Sequence, residues 1–297
     1  MQDNAGRHMS RGEFLGICGA GTAALAFGAS VFSAEEARAA ARVENIAHRG
    51  ASGTAPENTL AAIRRAVRLR ADFVEVDVQR SSDGELILFH DATLTRTTNV
   101  EEVYPQRFPY RVGDFTFDEL RRLDAGSWFS EEFAGERIPT LAEALPEMRG
   151  RAGLLLELKD PALYPGIERQ IADELEAAGF SQPAPAAGRL VVQSFDHASV
   201  RRYHELQPRV AVGELYSRRP TGAELRAAAT YARQVNPSYT FTDRSLVQSI
   251  HALGMSTSVY TVNEPEDMRR MISLGVDGII TDFPETLNRV RSGGRPV

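Results

Sequence analysis

The sequence predicts an α/β protein, a closed (β/α)8 barrel of the TIM type with a small insertion after the third strand-like segment. From residue 43 onward, short β-branched or apolar runs alternate with segments of helical period over about 250 residues, the usual length of such a barrel. No glycine fingerprint of the dinucleotide-binding kind follows the first run, which argues against an open doubly wound sheet. Acidic and imidazole residues also gather at the ends of the runs, where barrel enzymes place their chemistry.

The strand-like runs are 44–47, 73–78, 86–89, 154–158, 190–195, 210–215, 234–237, 256–262 and 278–281, and the helical segments are 58–70, 140–148, 166–178, 197–207, 222–232, 245–253 and 265–274. Gly179, Gly254 and Gly275 stand where helix C-caps belong. Nine runs are one too many for eight strands. The segment Gln79–Glu85 between the second and third is too short for a helical crossover, and its Asp83-Gly84 signals a two-residue hairpin turn. With that turn Asp77 faces His90 and Glu75 faces Ala92, so His90 joins the two carboxylates on one face. Residues 91–139 are too long for a plain connection and read as an insertion over the barrel mouth, with a short helix at 117–123 and the only tryptophan, Trp128. The barrel spans 43–290.

Composition limits the rest. With 42% hydrophobic and 25% charged residues in 297, the chain is globular, and a net charge of −6 gives no general attraction to nucleic acid. Of 34 basic residues only one, Lys159, is lysine. Residues 1–39 differ in composition from the rest of the chain: Arg7 and Arg11 precede the Gly/Ala-rich apolar stretch 14–29, then Ala37-Arg38-Ala39 fits a small-x-small cleavage site. This reads as an export signal, similar to the twin-arginine pattern except that Gly12 replaces the second arginine, and it places the mature protein in the periplasm or outside the cell. The alternative is an N-terminal anchor, for which the apolar stretch is short against the ~20 residues of a span. Cys18, the only cysteine, lies inside the signal, so the mature chain has no thiolate for catalysis, metal binding or a disulfide.

The chemistry concentrates on His48, Glu75, Asp77, His90 and Glu157. In Phe73-Val74-Glu75-Val76-Asp77-Val78 the carboxylates share the face opposite the valines; with the valines toward the helices, they point into the barrel, where unpaired charge is costly. Glu157 is a third carboxylate in an apolar strand. Three carboxylates without thiolate describe a site for one hard divalent cation, Mg²⁺ or Ca²⁺. A cluster of carboxylates satisfied by arginines is the structural alternative. His197, His204 and His251 sit in helical segments and read as surface or capping residues. Asp91 reads as a turn or supporting residue, and Asp282 as a residue that could orient a histidine or its loop.

In order along the chain, Ala47-His48-Arg49-Gly50, Ala55-Pro56-Glu57-Asn58-Thr59, Glu75-x-Asp77, Phe89-His90-Asp91, Glu157-x-Lys159, Gln193-Ser194-Phe195 and Thr281-Asp282-x-Pro284 resemble the glycerophosphodiester phosphodiesterase family. The resemblance implies hydrolysis of small-molecule glycerophosphodiesters to sn-glycerol 3-phosphate and an alcohol, with His48 and His90 as general base and general acid. It also implies that Glu75, Asp77 and Glu157 hold the metal, that Arg49 and Lys159 contact phosphate, and that Glu57 lies near the metal and the glycerol end. Phe195 and Tyr260 read as pocket walls; Tyr260 stands where the family often has tryptophan. Two other readings remain: a phospholipase D-like enzyme acting on lysophospholipids, which an exposed apolar rim on the insertion would favour, with Phe108, Phe115, Phe117, Trp128, Phe129 and Phe133 as its candidates, and a binding protein that does not cleave.

Overall fold

Each barrel strand is buried on both faces, and the two faces carry different chemistry. The computed structural model describes residues 43–180 and 189–292. Its strands are β1 (Glu44–Ala47), β2 (Phe73–Arg80), β3 (Leu86–Leu88), β4 (Gly153–Leu158), β5 (Leu190–Ser194), β6 (Ala211–Tyr216), β7 (Gln234–Pro237), β8 (Ser258–Val259) and β9 (Gly278–Thr281). Eight run parallel in the order β7-β6-β5-β4-β2-β1-β9-β8, and parallel bridges Gln234–Ser256 and Ser238–Tyr260 close the ring. The predicted barrel is therefore present, with the surplus strand β3 antiparallel on β2.

Outward residues of β2 and β4 (Val74, Val76, Val78, Leu154, Leu156, Leu158) join one core with the surrounding helices. Those helices include α1 (Leu60–Arg68), which contributes Ile63 and Ala66 to it. Truncating a buried leucine such as Leu156 to alanine would cost about 2–5 kcal/mol. Inside the barrel Ile46, Phe73, Leu155, Val191 and Ile280 fill the floor. Gly153 opposite Phe73 makes that floor possible, because a Cβ there would lie 2.4 Å from the Phe73 ring. Alternation then places Glu75, Asp77, Glu157 and Gln193 above the floor, all buried.

The insertion carries α2 (Val100–Val103) and α3 (Phe117–Leu120), and α4 (Leu141–Met148) follows it. It has its own apolar core, built on Leu94, Val112, Phe115, Leu120 and Leu123. The remaining helices are α5 (Ile167–Ala177), α6 (His197–Leu206), α7 (Gly222–Ala228), α8 (Arg244–Ala252), α9 (Pro265–Leu274) and α10 (Pro284–Arg291). Gly179, Gly254 and Gly275 all have positive φ at helix ends. The sequence reading missed α10, whose inward contacts are few: only Pro284 and Leu287 are buried. It also overextended the eighth barrel strand, because the Asn236 side chain takes the Ser258 N–H (2.9 Å).

The hairpin register differs from the expected one. Val78 pairs with Leu88 and Arg80 with Leu86, so Phe89, not His90, lies opposite Asp77. The turn has three residues rather than two: Ser81 and Glu85 pair (2.9 Å), and Gly84 adopts φ +99. Asp83 does not sit in a tight two-residue turn, because its Oδ1 accepts from Ser81 Oγ (2.6 Å) and Phe117 N (2.9 Å). His90 nevertheless enters the barrel mouth. β3 ends at Leu88, and the buried Gln79 amide donates to the carbonyls of Phe89 and Asp91 (both 2.8 Å), bending the chain around His90.

The expected apolar rim on the insertion is largely absent. Phe115 is fully buried, while Phe129 packs against both Trp128 and Phe133; only Phe108 (82% exposed) and Trp128 (40%) stand out. The expected export signal and Cys18 lie outside the described residues, among which no helix is long and apolar enough to cross a membrane.

Candidate active site

The loop after β1 wraps the top of β2. Arg49, with φ +52, donates its amide to Glu75 Oε2 (2.8 Å), and its guanidinium donates to Glu57 Oε1 (2.8 Å) and lies 3.4 Å from Asp77. Asn58 grips Asp77 at both ends of its own amide: Nδ2 donates to Asp77 Oδ2 (2.8 Å), and Oδ1 accepts from Asp77 N (3.2 Å). Thr59 next to it caps α1. The Pro-Glu-Asn-Thr segment thus positions the loop, the second strand and the first helix together.

Glu75, Asp77 and Glu157 offer oxygens within 4.8 Å of one another. Their electrostatics differ. Burial and the neighbouring carboxylates Asp77 and Glu157 raise the Glu75 carboxyl well above its ordinary value. Burial, then Asp77, pushes Glu157 up to about 7 against the pull of Lys159. Burial acts on Asp77 too, but Arg49, His90 and Lys159 outweigh it and hold that carboxyl low. Glu75 has no ion pair among the described residues, and only the Arg49 amide donates to it. Three buried, mutually repelling carboxylates with an all-oxygen donor set fit a hard divalent cation. The arginine-cluster alternative places a guanidinium directly on Asp77 and Glu57, and reaches Glu75 only through the Arg49 amide and the more distant Arg49 charge.

Both histidines have a carboxylate on Nδ1. His48 Nδ1 lies 2.6 Å from Asp282 Oδ1, and Asp282 is further held by Ser52 Oγ (2.9 Å) and Asn263 Nδ2 (2.6 Å). Burial opposes its charge, yet the bonds from His48, Asn263 and Ser52 lower the Asp282 carboxyl to about 2. His90 Nδ1 lies 2.6 Å from Asp91 Oδ1, and His90 Nε2 lies 2.9 Å from Lys159 Nζ. Lys159 also donates to Glu157 Oε1 (3.0 Å) and stands 3.9 Å from Asp77. Burial lowers the His90 pKa, with Arg49 and Lys159 adding to it against Asp77 and Asp91.

The structure therefore brings His48, Arg49, Glu57, Glu75, Asp77, His90, Glu157 and Lys159 to one end of the barrel. Phe195 and Tyr260 face each other edge-on across the same end (5.8 Å), with Lys159 Nζ 5.9 Å from the Phe195 ring. His251 pairs with Asp277, and His204 lies in α6 against Tyr231, both away from this group. His197 begins α6 and bonds the Leu215 carbonyl (2.9 Å). The sequence reading missed Asn58, Gln79 and Arg96 as site residues. Asn58 stood inside a quoted motif, whereas nothing in spacing distinguishes Arg96 from the other arginines.

The model of the Glycerophosphoryl diester phosphodiesterase family matches residues 48–286. The chain belongs to this family. Among its relatives, a glycerophosphodiester phosphodiesterase of Caldanaerobacter subterraneus subsp. tengcongensis is 42% identical over 253 residues, covering 84% of this chain and 98% of the relative. One of Bacillus subtilis is 34% identical, covering 85% and 87%. A solved phosphodiesterase from Oleispira antarctica, in complex with the product sn-glycerol-3-phosphate, superposes with a TM-score of 0.73 at 32% identity, covering 84% of this chain and 96% of that one. The family match runs from His48 to beyond Asp282, so it takes in every residue of the cluster just described.

Proposed function

We propose that the protein hydrolyses glycerophosphodiesters to sn-glycerol 3-phosphate and an alcohol by two-histidine acid–base catalysis at a divalent-metal site. The observation that carries this reading is the junction of His90, Lys159 and Glu157, which joins an imidazole, a cation and the acidic triad within hydrogen-bonding distance. The family match and the named relatives support the reaction class.

Glu75, Asp77 and Glu157 would hold Mg²⁺ or Ca²⁺, which when bound supplies positive charge for the negative charge that builds on the phosphoryl oxygens. Arg49 and Lys159 bind the anionic diester and orient it. Ionised Asp282 fixes the proton of His48 on Nδ1, so Nε2 is free to take a proton from the attacking hydroxyl. His90, similarly fixed by Asp91, presents Nε2 to the site, from which its protonated form would donate to the departing alkoxide. Glu57 holds Arg49 in place. Phe195 and Tyr260 wall the site.

A second substrate class is favoured by one feature. A cleft of about 450 Å³ runs from Glu157 and Lys159 between Leu158, Pro161, Leu163 and Phe195, and Leu163 (63%) and Phe195 (43%) are exposed along it. An acyl chain on the glycerol side of the diester, as in a lysophospholipid, suits those walls. The proposed setting is periplasmic or extracellular, supported by the composition of residues 1–39; fractionation and N-terminal sequencing of the mature form test it.

The deciding experiment assays glycerophosphocholine, other glycerophosphodiesters and lysophospholipids side by side with Mg²⁺ or Ca²⁺. Release of sn-glycerol 3-phosphate is expected; no turnover on any of them would refute the reading. Release of lysophosphatidate from the lysophospholipids would establish the second class. Phosphorus NMR of the same reactions separates attack by water from attack by the substrate's own hydroxyl through a cyclic phosphate.

A further inference from the structure

Arg96 lies in the insertion, close to the barrel mouth, and its guanidinium is shared between two carboxylates. Nε donates to Asp91 Oδ2 (2.6 Å) and Nη2 to Asp91 Oδ1 (3.0 Å). The other edge of the same plane serves Glu57, with Nη1 to Oε2 at 2.8 Å and Nη2 to Oε1 at 2.7 Å. Each carboxylate in turn holds a site residue: Asp91 Oδ1 holds His90 Nδ1, and Glu57 Oε1 holds Arg49 Nη1. The result is an unbroken chain from Arg49 through Glu57, Arg96 and Asp91 to His90. Trp128 lies 6.0 Å from the guanidinium. Its loop is tied by Asp124, which accepts from the amides of Gly126, Ser127 and Gly135 (each 2.8 Å).

We infer that Arg96 is a positioning residue that fixes the His90 tautomer and the Arg49 side chain together, so that the insertion presets both the proton-transfer and the phosphate-binding halves of the site. The chemistry of the guanidinium is what the geometry requires. It presents two planar donor edges at once, whereas an ammonium has no such edges and cannot grip two carboxylates in fork fashion. An Asp91 held ionised and oriented requires the proton of His90 on Nδ1, leaving Nε2 toward Lys159. The burial of Asp91 works against its charge, but Arg96 and His90 hold its carboxyl down to about 2.

The inference rests on the proposed hydrolysis for its kinetic arm and is independent of it in the other. In ¹⁵N-histidine-labelled full-length protein, with the His90 signals assigned by their loss in His90→Ala, wild-type His90 should be the Nδ1–H tautomer. In Arg96→Ala it should become a mixture of tautomers. On glycerophosphocholine, kcat should fall ~10–100-fold, the usual effect of removing a group that orients a site residue. Added methylguanidinium should restore part of it, and Arg96→Lys should restore little. Arg96 is 44% exposed, so the fold should survive its truncation; Arg96→Gln repeats the NMR comparison should the alanine variant be unstable. An unchanged His90 tautomer in these variants would overturn the inference, as would a kcat within about twofold of wild type or equal function of Arg96→Lys. A wild-type protein without turnover would defeat the functional reading, and the NMR comparison would still decide the role of Arg96.

Discussion

Lys159 Nζ sits 2.9 Å from His90 Nε2, so the chain's one lysine touches the imidazole that would deliver the leaving-group proton. The same ammonium reaches Glu157 (3.0 Å) and Asp77 (3.9 Å). It is therefore a compact hub among three groups, a place that a wide planar guanidinium fills poorly. Lys159→Arg is expected to lower kcat/KM on glycerophosphocholine by ~10-fold or more, with little change in Tm. Wild-type kcat/KM in that variant would mean that charge alone matters there.

Removal of metal should abolish turnover. Among the described residues Glu75 has no ion-pair partner, and burial sets Glu75 and Glu157 against carrying charge. After exhaustive chelation activity should be lost, then return on titration with Mg²⁺ or Ca²⁺. Glu75→Gln and Glu157→Gln should weaken the response to metal. Full activity in the chelated protein would remove the metal from the site.

His48→Ala and His90→Ala should each cost at least ~10²-fold in kcat if they transfer protons. The structure adds a distinction. Each imidazole has its Nδ1 taken by a carboxylate, so Asp282→Asn and Asp91→Asn should lower kcat as well, by a smaller factor, through loss of the fixed tautomer. Either asparagine variant with wild-type kcat would show that its histidine is oriented by other contacts.

Much of this was legible in the sequence, because strand chemistry is local. Phe73 to Asp77 reads directly as outward valines and inward carboxylates, and the hydrophobic floor beneath them follows from the same alternation. The hairpin register was not legible. Asp83-Gly84 has the form of a two-residue turn, but Asp83 is claimed by Ser81 and by Phe117 from the insertion, a contact separated by 34 residues. His90 then reaches the site through Gln79, whose side-chain bonds to two carbonyls no residue pattern announces. Arg96 escaped for a similar reason: its role lies in two partners, one of them 39 residues away.

The Asp282 carboxyl carries a pH signature in stability. Its pKa falls from 3.8 to about 2 on folding, through bonds from His48, Asn263 and Ser52 that outweigh burial. A depressed folded-state pKa means stability that is present above the unfolded value and is lost as pH falls through the folded one. The contribution is about 2 kcal/mol above pH ~4, fading between pH ~4 and ~2. Denaturant melts of wild type and Asp282→Asn should therefore differ at neutral pH and converge toward pH 2. A gap that stays constant across that range would assign the stabilisation to hydrogen bonding rather than charge.

The cleft beside Lys159 gives a prediction about selectivity that the reaction chemistry does not. Leu163 and Phe195 are large apolar side chains left in water at the edge of a polar site, an arrangement that lowers free energy only when something apolar covers them. If the acyl chain of a lysophospholipid lies there, Leu163→Ser should reduce kcat/KM for that substrate ~5–30-fold, by loss of apolar contact worth roughly 1–2 kcal/mol. Glycerophosphocholine, which carries no acyl chain on its glycerol, should be hydrolysed as before. Equal losses on both substrates would mean that Leu163 shapes the site as a whole. No loss on either would place the acyl chain elsewhere, for instance against the exposed ring of Trp128 in the insertion, 6.0 Å from the Arg96 guanidinium.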